Sequence, residues 1–167
     1  RQRQMCIRDS TIYGVSEGKR KDKMITDRKI SEIGKLENVD SVYPKLTVST
    51  VMTYNRFTGY LQLAGLPEDY LAQIKIGKGK KPAEDGYKPE LLIGNHVMDL
   101  FFNEGAGLSY NEVNKDDKDK QNLSGESIQV QFGVDESAQS CRLTVCGVTE
   151  DESYEIYLSL IHISEPT

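Results

Sequence analysis

Apolar and polar residues alternate with period two in several stretches of the chain, which predicts β-strands. In "LTVSTVMTYNR" (46–56), every second residue from Leu46 to Tyr54 falls on one face. After a turn at 55–59, "YLQLAGL" (60–66) predicts a second strand. Farther along, "ESIQVQFGVDESAQSCRLTVCGVTED" (126–151) alternates on both sides of a segment rich in Gly, Asp and Ser, which is typical of a β-hairpin.

Two segments show helical spacing instead. Thr26 is a suitable N-cap, Asp27 lies where the helix dipole favours negative charge, and apolar residues follow at Ile30 and Ile33, so we expect a helix from Asp27 to Glu37. "PEDYLAQI" (67–74) predicts a short helix.

The stretch "PELLIGNHVMDLFFNEG" (89–105) combines both patterns. It predicts a buried strand at 91–93, a hinge at Gly94, and an amphipathic helix whose apolar stripe is Val97, Leu100 and Phe101. The basic, Gly-rich segment 75–88 and the charged segment 111–122 are expected to be loops.

Short strands and helices in this mixed order predict the α+β class. The expected core consists of Ile30, Ile33, Val48, Leu61, Leu63, Leu92, Phe101, Ile128, Val130, Leu143 and Val145.

The two ends of the chain differ from everything between them. "LSLIHIS" at residues 158–164 is encoded by CTGTCTCTTATACACATCT, and the reverse complement of that DNA encodes "QMCIRDS" at residues 4–10. Complementary coding of two unrelated peptides indicates translated sequencing-adapter DNA at 1–10 and 158–167. Both segments are therefore left out of the fold prediction, although "YEIYLSLIHI" (154–163) alternates well enough for a strand to cross the junction.

Composition restricts the classes of function. The chain has 167 residues, a net charge of −5 and no long apolar run, and leaving out the two ends makes the charge one unit more negative. A length of this order suits one domain or two small lobes. The acidic balance argues against a nucleic-acid partner.

Candidate chemistry is sparse. "GKGKK" (77–81) does not fit a phosphate-binding loop, and a calcium loop beginning at Asp117 would place Asn122 and Ile128 where Gly and Glu are required. Ser124 lacks the Gly-x-Ser-x-Gly context of an activated serine. We therefore expect no cofactor, no metal site and no catalytic constellation.

Once the two ends are left out, and with them Cys6 and His162, the remaining isolated reactive residues are His96, Cys141 and Cys146. His96 lacks a Cys or His partner at ligand spacing, which favours a surface or capping histidine. Cys141 and Cys146 are five positions apart, so in one strand their sulfurs would lie on opposite faces and would not pair. We expect both to be buried or half-buried free thiols.

Four stretches, in order, resemble the extracytoplasmic (periplasmic core) domain of MacB/FtsX-type ABC transporter permeases. They are "ITDRKISEIGKLENVDSVYPKL", "YLQLAGLPEDYL", "PELLIGNHVMDLFF" and "LSGESIQVQFG…CRLTVCGVTED". Their motif glycines are Gly65, Gly94, Gly125 and Gly147. Local physics agrees: Gly94 follows a strand at a tight turn, Gly125 precedes one, and Gly147 within one suggests a bulge or close backbone approach.

The resemblance implies a two-lobed domain, with one lobe of helix-backed mixed sheet and one mainly β, incomplete at its C-terminal end. It implies a linker at 11–23 following a first transmembrane helix, and a core domain over 24–157. Such domains lie outside the cytoplasmic membrane and relay movements driven by a separate cytoplasmic ATPase subunit, for export or cell-envelope signalling. Implied partners are that ATPase, a second permease copy, and an envelope or accessory protein.

Two other classes stay open at the level of sequence. A free-standing secreted or surface binding module would carry the same pattern without flanking membrane spans. An enzyme would have to use His96, Cys141 or Cys146.

Deleting residues 1–10 should leave thermal stability nearly unchanged, because adapter-encoded residues have no selected place in the core. Melting followed by circular dichroism measures this. A large fall in melting temperature would show that the first segment belongs to the folded protein.

Overall fold

A computed structural model describes residues 12, 25–83, 88–117, 120, 123–133 and 138–159. Within these ranges the regular secondary structure is mostly strand, with few and short helices. In chain order the elements are α1 (Asp27–Ile33), β1 (Leu46–Tyr54), β2 (Phe57–Leu66), α2 (Glu68–Leu71), β3 (Ile76–Gly79), β4 (Glu90–Ile93), a 3-10 helix (Val97–Leu100), α3 (Tyr110–Val113), β5 (Ser127–Phe132), β6 (Gln139–Thr149) and β7 (Ile156–Ser159).

The chain divides into two compact units between Val42 and Tyr43. The described part of the first contains α1, and its predicted N-cap is confirmed: the Thr26 side chain accepts a hydrogen bond from the Lys29 N–H. The helix ends at Ile33, earlier than predicted, and turns follow. The expectation that Ile30 and Ile33 are core residues is wrong, because α1 contains no buried residue.

In the second unit, the predicted hairpin of β1 and β2 is confirmed. The strands pair antiparallel from Leu46 opposite Gly65 to Tyr54 opposite Phe57, and only Asn55 and Arg56 form the turn. Asn55 has a φ of 55°, the left-handed conformation that two-residue hairpin turns require. The turn is thus shorter than the predicted 55–59.

Six strands of the second unit close into a ring. The strands lie in the order β6, β4, β7, β2, β1 and β5, and each is hydrogen-bonded to the next. Strand β5 also pairs with β6, which closes the ring. Pairs β2–β7 and β4–β6 are parallel and the other four are antiparallel, so the sheet is mixed. Strand β3 joins from outside the ring, also by pairing with β6.

The inner face of the ring holds the main core. Every ring strand contributes buried side chains to one cluster, which includes Met52, Leu61, Leu63, Leu91, Ile93, Ile128, Val130, Leu143, Val145, Ile156 and Leu158. Phe101 and Tyr110, from the segment that follows β4, pack against the same cluster. Most predicted core residues are therefore confirmed, but Val48 is only half-buried, toward the exposed start of β1.

A smaller cluster lies on the outer face. Leu92, Cys146 and Tyr157 alternate with the inner residues of their strands and pack with Ala64, Leu66 and Leu71. Leu92 was predicted as core and is fully buried here rather than inside the ring. Helix α2 contributes Leu71, and Pro67 is its N-cap residue.

The predicted amphipathic helix after Gly94 is wrong. Val97–Leu100 form a single 3-10 turn, and Phe101 is already extended. The reason is tertiary: the Phe102 N–H donates to the Thr58 carbonyl at 3.0 Å, and the Thr58 N–H donates back to the Phe102 carbonyl at 2.9 Å. This bridge to β2 requires an extended chain where the helix would have continued.

Two predicted loops contain structure. Strand β3 lies within 75–88, and helix α3 lies at the start of 111–122, where Ser109 and Glu112 form a capping box. Residues 84–87, 118–119 and 121–122 lie outside the described residues. The turn of the β5–β6 hairpin, at 134–137, is likewise outside them, but its strands pair antiparallel as predicted.

A strand crosses the predicted adapter junction, as its alternation indicated. In β7, Leu158 pairs with Gly65 and lies in the main core, 4% exposed. The expectation that the terminal segments contribute little to the core is therefore wrong for Leu158. Residues 160–167, like 1–10, lie outside the described residues.

Ser159 ends β7 in a buried position, and its hydroxyl makes no hydrogen bond to the described part of the chain. A buried hydroxyl without a partner costs free energy. Replacing Ser159 by Ala should therefore raise the free energy of unfolding by about 1 kcal/mol. Urea denaturation measures this, with the exposed strand residue Ser140→Ala as the matched control, expected to change stability little. Destabilisation by S159A alone would show that the hydroxyl is satisfied.

Candidate functional site

Gly94, directly after β4, is in contact with the backbone of the segment that leads into β7. A β-carbon on Gly94 would lie 2.2 Å from the Ser153 carbonyl oxygen and 2.5 Å from its carbon. The Gly94 N–H donates to the Glu155 carbonyl at 2.8 Å, and the His96 N–H donates to the Ser153 carbonyl at 2.9 Å. Glycine is needed here for close approach of two backbones, rather than for the turn into a helix that the sequence suggested.

Gly147 lies at a bulge in β6, as the sequence suggested. Val145 is opposite Leu91 and Gly147 is opposite Leu92, so Cys146 is the extra residue. A β-carbon on Gly147 would lie 2.4 Å from the Lys80 carbonyl oxygen, so close backbone approach is also confirmed. Because of this extra residue, the side chain of Val148, which comes directly after Gly147, lies in the inner core.

The other two motif glycines occupy different places. Gly65 is buried in β2, between Leu46 of β1 and Leu158 of β7. Gly125 precedes β5 with a φ of 92°, and the space where its β-carbon would lie is open. The four glycines lie in or beside four different strands, so they stabilise the fold and do not form a common binding surface.

His96 belongs to a small polar cluster beside the 3-10 helix. Its Nδ1 lies 2.8 Å from Asp99 Oδ2, and Asp99 Oδ1 accepts a hydrogen bond from Asn111 Nδ2 at 2.8 Å. The Tyr154 ring lies 5.4 Å from the imidazole, centroid to centroid. His96 occupies the N-cap position of the 3-10 helix, but its side chain makes no capping bond and is 36% exposed. Of the two predicted roles, the structure therefore agrees with a surface histidine and not with a capping one.

Sequence reasoning missed Asp99 and Asn111. Asp99 follows His96 by three residues, a spacing that brings side chains together on a helical turn. No sequence signal connects Asn111 to them, because α3 reaches this position only through tertiary packing. These hydrogen bonds connect the 3-10 helix to α3, so the cluster has a structural role.

The two cysteines are free thiols on opposite faces, as predicted. Cys146 is buried in the outer cluster, and its thiol donates to the Leu91 carbonyl at 3.2 Å. Burial, together with the nearby Glu90 carboxylate, raises its pKa to about 12, so it is not a thiolate nucleophile at neutral pH. The expectation that both are buried or half-buried is wrong for Cys141, which is exposed opposite Val130 near the hairpin end.

Tyr54 and Tyr110 form an aromatic group with Phe57 at the edge of the main core. Tyr110 meets Tyr54 and Phe57 edge-on at centroid distances of 5.6 and 5.2 Å. Burial first, and then the Tyr110 phenol, raises the pKa of Tyr54 to about 12. Both phenols therefore remain neutral, and the group acts in packing.

Within the described ranges, no three His, Cys, Asp or Glu side chains are grouped to hold a metal ion. The same residues include no helix long and apolar enough to cross a membrane.

Comparison with solved structures places the fold. The chain is similar to the extracellular domain of the noncanonic ABC-type transporter YknZ from Gram-positive bacteria, with a TM-score of 0.53 and 14% sequence identity. The match covers 83% of this chain and 64% of that one. No protein-family model and no curated protein sequence matches the chain. The protein thus shares the fold of an extracellular ABC-transporter domain.

Replacing Gly94 by Ala should lower the free energy of unfolding by roughly 3 kcal/mol, because the new methyl group overlaps backbone atoms that cannot move independently. Gly125→Ala is the matched control: it meets no atoms and should cost only about 1 kcal/mol for its left-handed conformation. Urea denaturation of both variants measures the difference. Equal losses would show that the contact at Ser153 imposes no constraint.

Proposed function

We propose that this chain is part of the extracytoplasmic domain of an ABC transporter permease subunit. The observation that carries the proposal is the fold shared with the YknZ extracellular domain over 83% of the chain. The four motif stretches support it independently, because they were identified from residues alone. The motif glycines agree with the proposal, since Gly94 and Gly147 lie where the fold brings two backbones into close contact.

In this role the domain relays an ATP-driven conformational change, for export or for cell-envelope signalling, and carries out no catalysis itself. ATP hydrolysis belongs to a cytoplasmic ATPase subunit that acts through the membrane-spanning part of the permease. The partners we propose are that ATPase, a second permease copy and an envelope or accessory protein. The complete domain has two lobes, one a helix-backed mixed sheet and one mainly β.

The second unit suits a relay because it is built to move as a rigid body. Its ring closes by backbone hydrogen bonds, and its core draws buried side chains from all six strands. A force applied at one connection is therefore transmitted across the sheet rather than absorbed by bending. The reactive residues agree with this role: His96 is tied to Asp99, and Cys146 is a neutral thiol.

Cys141 provides a built-in test of location. In cells that express the parent protein, a membrane-impermeant maleimide should label Cys141 from outside, and the label should be recovered in the membrane fraction. Labelling at pH 8 offsets the raised pKa of this thiol, which partial desolvation causes. With Cys6 replaced by Ser throughout, Cys141→Ser should abolish the label, whereas Cys146→Ala should not change it, because Cys146 is buried.

Other outcomes separate the alternatives. Labelled protein in the culture medium would contradict a permease and indicate a secreted binding module. Labelling only after lysis would contradict an extracytoplasmic location altogether.

A further inference from the structure

A surface cavity of about 440 Å³ opens between α2 and the connection from β6 to β7. Tyr70 and Gln73 line it from the side of α2, and Glu150 and Asp151 line it from the connection. The buried outer-face residue Tyr157 also lines it. All of these residues belong to the second unit, and none has a part in the proposed relay.

The aromatic side of the cavity is held in place. Tyr70, 38% exposed, meets Tyr43 edge-on at a centroid distance of 5.2 Å. Gln73 Nε2 donates to the Tyr43 hydroxyl at 2.8 Å and to the Asp69 carbonyl at 3.0 Å. Both amide hydrogens are thereby used, so the group that Gln73 can offer a ligand is its carbonyl oxygen, an acceptor.

The opposite side is acidic. The Glu150 N–H donates to the Lys75 carbonyl at 2.9 Å, which fixes the backbone beside the two carboxylates. Among the described residues that line the cavity, Lys75 is the one cationic side chain, against two carboxylates. Burial first, and then in part Glu155 and Asp151, raises the pKa of the Tyr157 phenol to about 12, so Tyr157 adds no charge of its own.

We propose that this cavity binds an organic cation: an alkylammonium or guanidinium group on an apolar stem. The charged group lies against the face of Tyr70 and donates hydrogen bonds to Glu150, Asp151 and the Gln73 carbonyl oxygen. The stem packs on Ile74 and the Tyr157 ring. The carboxylates of Glu150 and Asp151 are exposed and solvated, and they repel an anion and attract a cation, so the lining favours positive charge.

Such a group occurs on free amines and on basic side chains of peptides, and two probes distinguish these sources. Pentylamine represents the free amine, and N-acetyl-lysine N-methylamide represents a peptide side chain. N-acetyl-norleucine N-methylamide has the same stem without the charge. Titrations followed by amide chemical shifts in the purified chain should show saturable binding of at least one cation, with shifts concentrated at 70–75 and 149–151, and none of the neutral probe.

Four variants test the assignment. Glu150→Gln, Asp151→Asn and Tyr70→Leu should each weaken cation binding about two- to fivefold, and Lys75→Ala should strengthen it by a similar factor. Glu104→Gln makes the same charge change at an exposed residue outside the cavity lining and should have no effect. All five variants should retain the native amide spectrum, because these side chains lie outside the main core.

Equal binding of the neutral probe would overturn the proposal, as would equal weakening by Glu104→Gln, which would indicate non-specific attraction to an acidic protein. Absence of saturable binding by both cations would overturn it as well. None of these outcomes affects the proposed location of the domain, which the Cys141 labelling tests separately.

Discussion

The second unit depends on the pairing of one long strand, β6, with three others. Its first half pairs with β5, and its second half pairs with β4 and with β3. Without either the β5 or the β4 pairing the ring would be an open sheet, and without the β4 pairing one of its two parallel pairs would also be lost. The eleven residues of β6 are long enough for both. The inner core exists because this strand closes the sheet on itself.

Backbones come unusually near each other where β3 joins β6 and where the chain enters β7, and glycines lie at both places. Gly79 and Gly147 are opposite each other between β3 and β6, and a β-carbon on either would overlap a carbonyl oxygen. Gly94 meets the Ser153 backbone in the same way, on the path into β7. These contacts hold the connections of the ring without buried side chains. The proposed relay of a conformational change needs such fixed connections, because a strand that slid along its neighbour would not transmit the change.

The strand pattern of the ring could be predicted from sequence, because alternation records which face is buried. The hairpins of β1–β2 and β5–β6 followed directly, and the bulge followed from Gly147 within an alternating run.

Parallel pairing through β7 had no local signal, since it depends on residues about 90 positions apart. The 3-10 turn was missed because the Thr58–Phe102 bridge overrides helical spacing. The capping box at Ser109 and Glu112 was visible in "SYNE" and marks α3, whereas the acidic aromatic cavity assembles only when α2 meets the end of β6.

The position of β7 determines the order in which the protein can fold. It is the last described strand in the chain, yet it lies in the middle of the ring, between β2 and β4. Neither the inner nor the outer cluster is complete until Ile156–Ser159 have been synthesised and have paired with β2 and β4. Before then, β2 and β4 expose apolar edges, and the pairing that covers them has a high contact order and forms slowly. During synthesis, the chain must therefore be protected from aggregation until β7 is available.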